Sequence, residues 1–212
     1  MARSDSTRSL RNRTRIAQAA ARLIAEHGLV DWSAAKRKAC RELGLPAQES
    51  LPGNEEVEQA LRDYNSLFRA TTQPVSLRAQ RSDALRWMER LARWAPVLTG
   101  AVAAGWATEH SEVRLELEAE DAKAVELELI NAGVPYSQMP DHGPESVPQL
   151  RIESPAATVR LVILSPQQRR NRPRRERSGG AEERLTAAQL KSLLGTAEPT
   201  SSATPPPTAR SR

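Results

Sequence analysis

The chain has 212 residues, a net charge of +5, a mean hydropathy of −0.58, 3% aromatic residues and one cysteine. Its length allows one ordinary domain or two small ones, and the single cysteine excludes a disulfide framework and a cysteine-rich zinc site. No apolar run approaches the roughly 18 residues of a membrane span, and the arginine-rich start lacks the apolar segment of a secretory signal, so we expect a cytoplasmic protein without a membrane partner.

Four helical patterns fill the first part of the chain. Apolar residues recur there at three-and-four spacing, the period of an amphipathic helix, and the breaks fall at residues that commonly begin or end helices. Ser33 and Asn54 are predicted N-caps, whereas Gly28 and Pro96 are predicted ends. We predict helices over about 16–27, 34–43, 55–68 and 74–95.

The hydrophobic period changes after residue 96. Residues 112–118 alternate between polar and apolar side chains, as in a strand with one buried face. A helix capped by Asp121 is predicted to follow as far as Asn131, and residues 149–153 and 158–164 are predicted to form a hairpin. Helices followed by strand, helix, strand and strand predict an α+β fold.

The basic charge lies mainly outside these predicted elements. Residues 1–15 carry net +4, 167–177 carry +5 and 178–212 carry +1, which leaves 16–166 at −5. The net positive charge therefore comes from residues 1–15 and 167–212, whereas residues 16–166 are acidic. The predicted organisation is a disordered basic tail (1–14), a helical region (15–95), an α+β domain (96–165), an arginine-rich linker (166–180), a short C-terminal helix (181–195) and a disordered tail (196–212).

One stretch carries a chemical motif. The run LTGAV at 98–102 is followed, after about ten residues, by SEVRL at 111–115. This arrangement resembles the front of a nucleotidyltransferase domain of the DNA polymerase beta type, in which a Gly-Ser turn precedes Asp-x-Asp on a strand. Gly100 stands at the turn, and Ser111 stands just before Glu112 at the first acidic position.

Three other runs are similar to a group of small nucleotidyltransferase-like proteins of proteobacteria. They are LPGNEEVE at 51–58, AKAVEL at 122–127 and NAGVPY at 131–136. The resemblance covers about residues 15–165 and leaves both tails outside. It implies a helical N-terminal region followed by a minimal mixed sheet with helices.

The resemblance also implies a chemistry. In that superfamily the backbone amides of the turn and the serine hydroxyl hold the nucleotide phosphates, so Gly100, Ala101 and Ser111 are the implied nucleotide-binding residues. Two aspartates on the strand hold two metal ions, which stabilise the attacking and leaving oxygens. A third carboxylate on a neighbouring strand helps to activate the attacking hydroxyl.

This sequence departs from the pattern at the positions that carry the reaction. Ala101 lacks the serine hydroxyl, Glu112 is longer than aspartate, and Arg114 occupies the second carboxylate position. Arg160 stands at the polar position of the later strand. Because a guanidinium is cationic and cannot ligate a metal, we predict a degenerate active site without a cofactor, in a protein that binds a nucleotide or a protein partner.

An active enzyme is the first alternative. Glu116 and Glu118 lie two residues apart on the same side of the strand as Glu112, so a shifted register could supply a carboxylate pair. In that case Glu112 and Glu116 would be catalytic, and Mg²⁺ would be required. The opposing interpretation is an exposed sheet face on which these glutamates pair with Arg114 or Arg160 across strands.

Association with nucleic acid is the second alternative. The run 15–28 is similar to the start of tetracycline-repressor-type regulators, but the helix that follows residue 53 opens with Glu55 and Glu56, which DNA phosphates would repel. Contact through the arginine-rich tail remains open, because guanidinium groups bind phosphate. The candidate nucleic-acid-binding residues are Arg169, Arg170, Arg172, Arg174, Arg175 and Arg177.

Overall fold

The computed structural model describes residues 2–29, 31–46, 49–140, 147–171 and 184–196, with side chains from residue 8 onward. The helices are α1 (Ala2–His27), α2 (Trp32–Glu42), α3 (Asn54–Phe68), α4 (Thr72–Arg90), α5 (Ala101–Ala104), α6 (Ala122–Asn131), α7 (Pro166–Asn171) and α8 (Ala187–Thr196), with a 3₁₀ turn at Ala92–Trp94. The strands are β1 (Val97–Thr99), β2 (Val113–Glu118), β3 (Ser137–Gln138), β4 (Gln149–Ile152), β5 (Val159–Leu164) and β6 (Arg184–Thr186).

The six strands form one mixed sheet in the order β3-β4-β5-β2-β1-β6. The central strands β2 and β5 run parallel, and the other neighbouring pairs are antiparallel. A mixed sheet with helices is an α+β fold, as predicted. The predicted strands at 112–118, 149–153 and 158–164 are confirmed to within a residue at each end, because strict alternation marks strands with one buried face.

The two faces of the sheet differ in chemistry. On β2, Val113, Leu115 and Leu117 are fully buried, and the alternate positions of β5 join them in one core with helices α4, α6 and α8. On the opposite face the intervening positions of β2 are charged, whereas β5 carries Arg160 followed by the buried Val162 and Leu164. The candidate site lies on this second face.

Helices α1, α2 and α3 form a second core, which is rich in alanine. Ile16, Leu23 and Leu61 lie at its centre with almost no exposed surface. Helix α4 does not belong to this core, because Ala84 and Met88 pack in the sheet core instead. Residues 15–95 are helical apart from their turns, but α4 packs with α8 in the sheet core rather than with α1, α2 and α3.

Residues 1–14 were predicted to form a disordered tail, but the backbone of residues 2–14 is helical. They continue α1, which begins at Ala2. Extending a helix costs little once a packed segment has nucleated it, and residues 16–25 supply that segment. The Arg13 guanidinium also pairs with the Glu56 carboxylate of α3, which holds this part of α1 against the three-helix core.

Two predicted N-caps are wrong by one or two residues. Asp31, rather than Ser33, caps α2, because its Oδ1 accepts from the Ser33 and Ala34 amides at 2.8 and 3.1 Å. Gly53 precedes α3, and its amide donates to Glu56 at 2.7 Å. Asn54 instead accepts a hydrogen bond from Lys36 Nζ at 2.7 Å.

The later helices follow local signals more closely. Asp121 caps α6 by accepting from the Lys123 amide at 2.9 Å, as predicted. The start of α8 is a capping box in which the Thr186 amide donates to Gln189 and the Gln189 amide donates to Thr186, at 2.8 and 3.3 Å. Gly195 was expected to end this helix, but α8 continues through Thr196.

The predicted linker at 166–180 begins with a short helix, α7, over residues 166–171. Residues 172–180 of the linker lie outside the described residues, as does the predicted tail at 196–212 apart from Thr196, which belongs to α8. Among the helices that the structure describes, none is long and apolar enough to cross a membrane.

Candidate functional site

The glycine turn predicted from the sequence lies between β1 and α5. Gly100 has φ 75° and ψ −153°, a conformation that is essentially restricted to glycine. The Gly100 carbonyl accepts from the Ala104 amide at 2.9 Å, and a side chain added at Gly100 would enter open space. Gly100 is exposed and Ala101 is half-buried, so the turn lies at the surface beside the end of β1.

A row of arginines crosses the sheet next to this turn. The strand registers align Arg184 with Thr99, Thr99 with Arg114, Arg114 with Arg160, and Arg160 with Arg151. Residues aligned in this way share one face and are about 4.8 Å apart between neighbouring strands. We call these five residues the arginine row.

Three arginines of the row have carboxylate partners. The Arg160–Glu112 pair confirms the predicted cross-strand pairing, and it forms diagonally between β5 and the residue before β2. Glu116 is 2% exposed, so its charge depends on the guanidinium that it meets. The three pairs are Arg160 with Glu112, Arg184 with Glu116 at 2.9 Å, and Arg151 with Glu153 at 3.2 Å.

Arg114 differs from the other arginines of the row. It is half-buried, and it makes no ion pair or hydrogen bond with any residue that the structure describes. Burial lowers the pKa of its guanidinium, the Arg160 charge lowers it further, and Glu112 opposes both effects. The group nevertheless stays protonated, because an arginine does not lose its proton in proteins.

Two more donors beside Arg114 lack acceptors. The Thr99 hydroxyl on β1 and the Nε of Arg160 on β5 are both buried, and neither has a hydrogen-bond partner among the described residues. Thr99 is 7% exposed. Three adjacent strands therefore place unsatisfied donors in one row.

The carboxylates that could serve an active enzyme do not fit a magnesium site. Glu112 and Glu116 are four residues apart, which places their Cα atoms about 13 Å apart on an extended strand. The two metal ions of such sites are only about 4 Å apart, and Arg114 lies between the two glutamates on the same face. Glu118, the other member of the shifted pair, binds Arg169 at 3.3 Å.

Among the described residues, no three His, Cys, Asp or Glu side chains cluster closely enough to hold a metal ion. Catalysis by Glu112 and Glu116 stays a prediction that these contacts do not favour.

Ser111 lies in the turn that leads into β2. Its hydroxyl oxygen accepts from the Thr108 amide at 2.9 Å, and its carbonyl accepts from Gln80 at 3.3 Å. The first contact closes the 108–111 turn through the Ser111 side chain, and the second ties the backbone of this turn to α4. A direct contact between Ser111 and a nucleotide stays a prediction.

The structure describes two of the six arginines that were predicted to contact nucleic acid. Arg169 is committed to Glu118, whereas Arg170 on the same short helix is exposed. Arg172, Arg174, Arg175 and Arg177 lie outside the described residues.

Sequence reasoning identified Gly100, Arg114 and Arg160 but missed Thr99 and Arg184. Both missed residues lie on strands of three residues, β1 and β6, which are too short to show alternation. The one available signal was the capping box after Arg184, which places the start of α8 but does not reveal a strand before it.

A comparison of the whole chain with protein-family models found no match, and a comparison with curated proteins found none either. Any functional conclusion therefore depends on the resemblance of the motif and on the geometry of the site.

Proposed function

We propose that this protein has a nucleotidyltransferase-like domain with a degenerate active site, and that it binds a nucleotide without transferring it. The observation that carries the proposal is the position of Arg114 and Arg160. They lie side by side on β2 and β5, in register with the residue that precedes the Gly100 turn. These are the positions at which the resembling superfamily places carboxylates.

The order of elements supports the nucleotidyltransferase comparison. A strand runs into a glycine turn and a helix, and the next strand begins with the residue that follows Glu112. The resemblance implies a turn after a helix and then a strand that carries the acidic positions; here the three-residue strand β1 stands before the turn, and β2 follows it as the resemblance implies. The φ of Gly100 favours glycine on physical grounds that do not depend on the resemblance.

The charges support loss of transfer chemistry. Transfer in that superfamily needs carboxylates that hold two divalent ions. Here the corresponding row carries guanidiniums, which repel cations and attract phosphate. The surface has therefore changed from one that suits a metal to one that suits an anion, and binding is the activity that remains. Such a role agrees with the cytoplasmic location that we propose from the sequence.

Binding and turnover can be measured separately on the full chain. We expect at least one of ATP, GTP, CTP and UTP to raise the melting temperature, because a ligand that binds only the folded state stabilises it. We expect no pyrophosphate release from any of the four with Mg²⁺ or Mn²⁺.

Two results would contradict the proposal. Pyrophosphate release that disappears in Glu112→Gln or Glu116→Gln, while the fold survives, would establish the active alternative. If no nucleotide shifts the melting temperature with or without metal, the nucleotide-binding role is excluded.

A further inference from the structure

The arginine row has more positive than negative groups. It holds four guanidiniums, and three carboxylates pair with three of them. The fourth guanidinium, that of Arg114, lies at the centre of the sheet on β2 rather than at its edge. Because β2 lies between β5 and β1, the Arg114 side chain cannot reach water by turning away from an edge of the sheet.

The cost of this arrangement needs an explanation. A half-buried charge without an ion-pair or hydrogen-bond partner among the described residues loses hydration, and for Arg114 the attraction of Glu112 offsets this loss only in part. Such groups cluster at functional sites, where a ligand supplies the missing interaction. The nearest carboxylates on the same strand face, Glu112 and Glu116, are both committed to other arginines.

Three groups on this face that can donate a hydrogen bond lack an acceptor among the described residues. They are the Arg114 guanidinium, the Thr99 hydroxyl and the Arg160 Nε, which lie on the adjacent strands β1, β2 and β5. Their common complement is a compact group with several acceptor oxygens and a negative charge. A phosphoryl group meets both conditions, because its oxygens accept bidentate hydrogen bonds from a guanidinium and can meet donors from more than one side chain.

We propose that Arg114, assisted by Thr99 and Arg160, binds a phosphoryl group directly and without a divalent cation. The inference rests on the proposed function, since it identifies the part of the nucleotide that the protein recognises and the means by which it does so. The guanidinium takes the role that a metal ion has in the resembling enzymes, namely neutralising phosphate charge.

The test uses the full chain in a buffer with EDTA and measures the binding of pyrophosphate and of ATP by calorimetry. We expect both to bind. Arg114→Gln should weaken both by at least tenfold, because truncating one member of a hydrogen-bonded charge pair raises the dissociation rate strongly. Equal affinities for the two probes would indicate recognition of phosphoryl groups alone, whereas tighter binding of ATP would show that the nucleoside adds contacts.

Arg151→Gln is the matched control. It removes the same charge from the same row, two strands or about 10 Å from Arg114, at a residue that pairs with Glu153. We expect it to change the affinity by less than twofold. Equal losses in the two variants would mean that the face attracts anions only through its overall charge, and would overturn the inference.

The melting temperature of the unliganded protein distinguishes a binding role of Arg114 from a structural role. Because Arg114 makes no ion pair within the described residues, Arg114→Gln should keep or raise the melting temperature without ligand, while it abolishes the shift caused by pyrophosphate. A lower melting temperature with an intact pyrophosphate shift would show that Arg114 stabilises the fold instead.

Failure of this inference can be distinguished from failure of the proposed function. Binding of ATP only when Mg²⁺ is present would overturn metal-free recognition and leave nucleotide binding intact. Binding of pyrophosphate at Arg114 with no binding of any nucleotide would keep the phosphoryl site and reject the nucleotide role.

Discussion

Gly100 occupies its turn for a conformational reason. At φ 75° and ψ −153° a β-carbon is strained even where space is free, and nothing lies within 4 Å of the position that this carbon would take. The restriction thus comes from the backbone and not from packing. The turn also joins β1 to α5, so its geometry determines how the end of β1 meets the arginine row.

Gly100→Ala should lower the free energy of unfolding by about 1–3 kcal/mol, the usual cost of such a backbone conformation for a residue with a side chain. Urea unfolding of both proteins would measure it. Gly195→Ala is the control, because Gly195 lies within α8 with open space around it, and alanine is the better helix former there by about 1 kcal/mol. A Gly100→Ala protein as stable as the parent would contradict the strained geometry.

At the scale of elements, the start of α3 is where the predicted basic tail (1–14) contacts the predicted helical region (15–95). The Glu56 carboxylate accepts from the Gly53 amide and also binds Arg13 of α1. The hydrogen bond from Arg13 is the main cause that lowers the pKa of Glu56, the Gly53 amide and the Arg13 and Lys36 charges lower it further, and partial burial opposes them. One side chain thus caps a helix and joins it to another.

Glu56→Gln keeps an acceptor for Gly53 but removes the charge. Since the folded-state pKa lies below the ordinary value of about 4.5, the charge stabilises the protein above that pH, and its contribution is lost as the pH falls through the lowered value. We expect the variant to be less stable by about 0.5–1 kcal/mol at pH 7.

Urea unfolding from pH 7 to pH 3 would test this pH dependence. The difference in stability between the parent and Glu56→Gln should shrink steadily below pH 4.5. The matched control is Glu55→Gln in the same helical turn, whose exposed carboxylate should show only the small helix-dipole effect. A constant difference across this range would rule out the ion pair as its source.

At the scale of the whole molecule, the loop 105–111 joins the two cores. Trp106 packs edge-on against Trp32 of α2, with ring centroids 5.3 Å apart. The loop carbonyls accept hydrogen bonds from side chains of α3 and α4, and Gln80 is the fully buried donor among them. Its Nε2 donates to the Thr108 carbonyl at 2.8 Å and to the Ser111 carbonyl at 3.3 Å.

Gln80→Met keeps the side-chain length but leaves both carbonyls without this donor. We expect it to reduce the free energy of unfolding by about 1–3 kcal/mol, because the Ser111 carbonyl loses its donor and the Thr108 carbonyl keeps only the Ser111 amide at 3.1 Å. Tryptophan fluorescence during urea unfolding would report it. Gln59→Met makes the same change at an exposed site on α3 and should have little effect on stability. Equal losses in the two variants would show that the hydrogen bonds from Gln80 to the loop do not stabilise the fold.

The elements that the sequence predicted well are those with strong local signals. Strand β2 and helix α6 follow from alternation and from a capping aspartate, which depend on neighbouring residues alone. Strands β1, β3 and β6 have two or three residues, so their hydrophobic pattern contains too little information. They form strands because neighbouring strands offer them hydrogen-bonding edges: β2 for β1, β4 for β3, and β1 in turn for β6.

The end of α3 shows that hydrophobic periodicity also has a limit in predicting which helical residues are buried. Leu67 and Phe68 extend the apolar stripe of α3, yet they are 74% and 72% exposed. A periodic pattern predicts which residues share a face, but it cannot tell how far along the helix a neighbour continues. Here α1 and α2 cover only the earlier part of α3.

By itself, the sequence determined the α+β class, the glycine turn at Gly100 and the polar positions of β2 and β5 that Arg114 and Arg160 occupy, because residue type and local spacing carry that information. Only the tertiary structure decided which arginines have partners. Strand register placed Arg184, Thr99 and Arg151 in one row with Arg114, and register depends on pairing between residues that are distant in the chain. The position of the Arg114 guanidinium, the centre of the proposed site, is therefore a product of the assembled sheet.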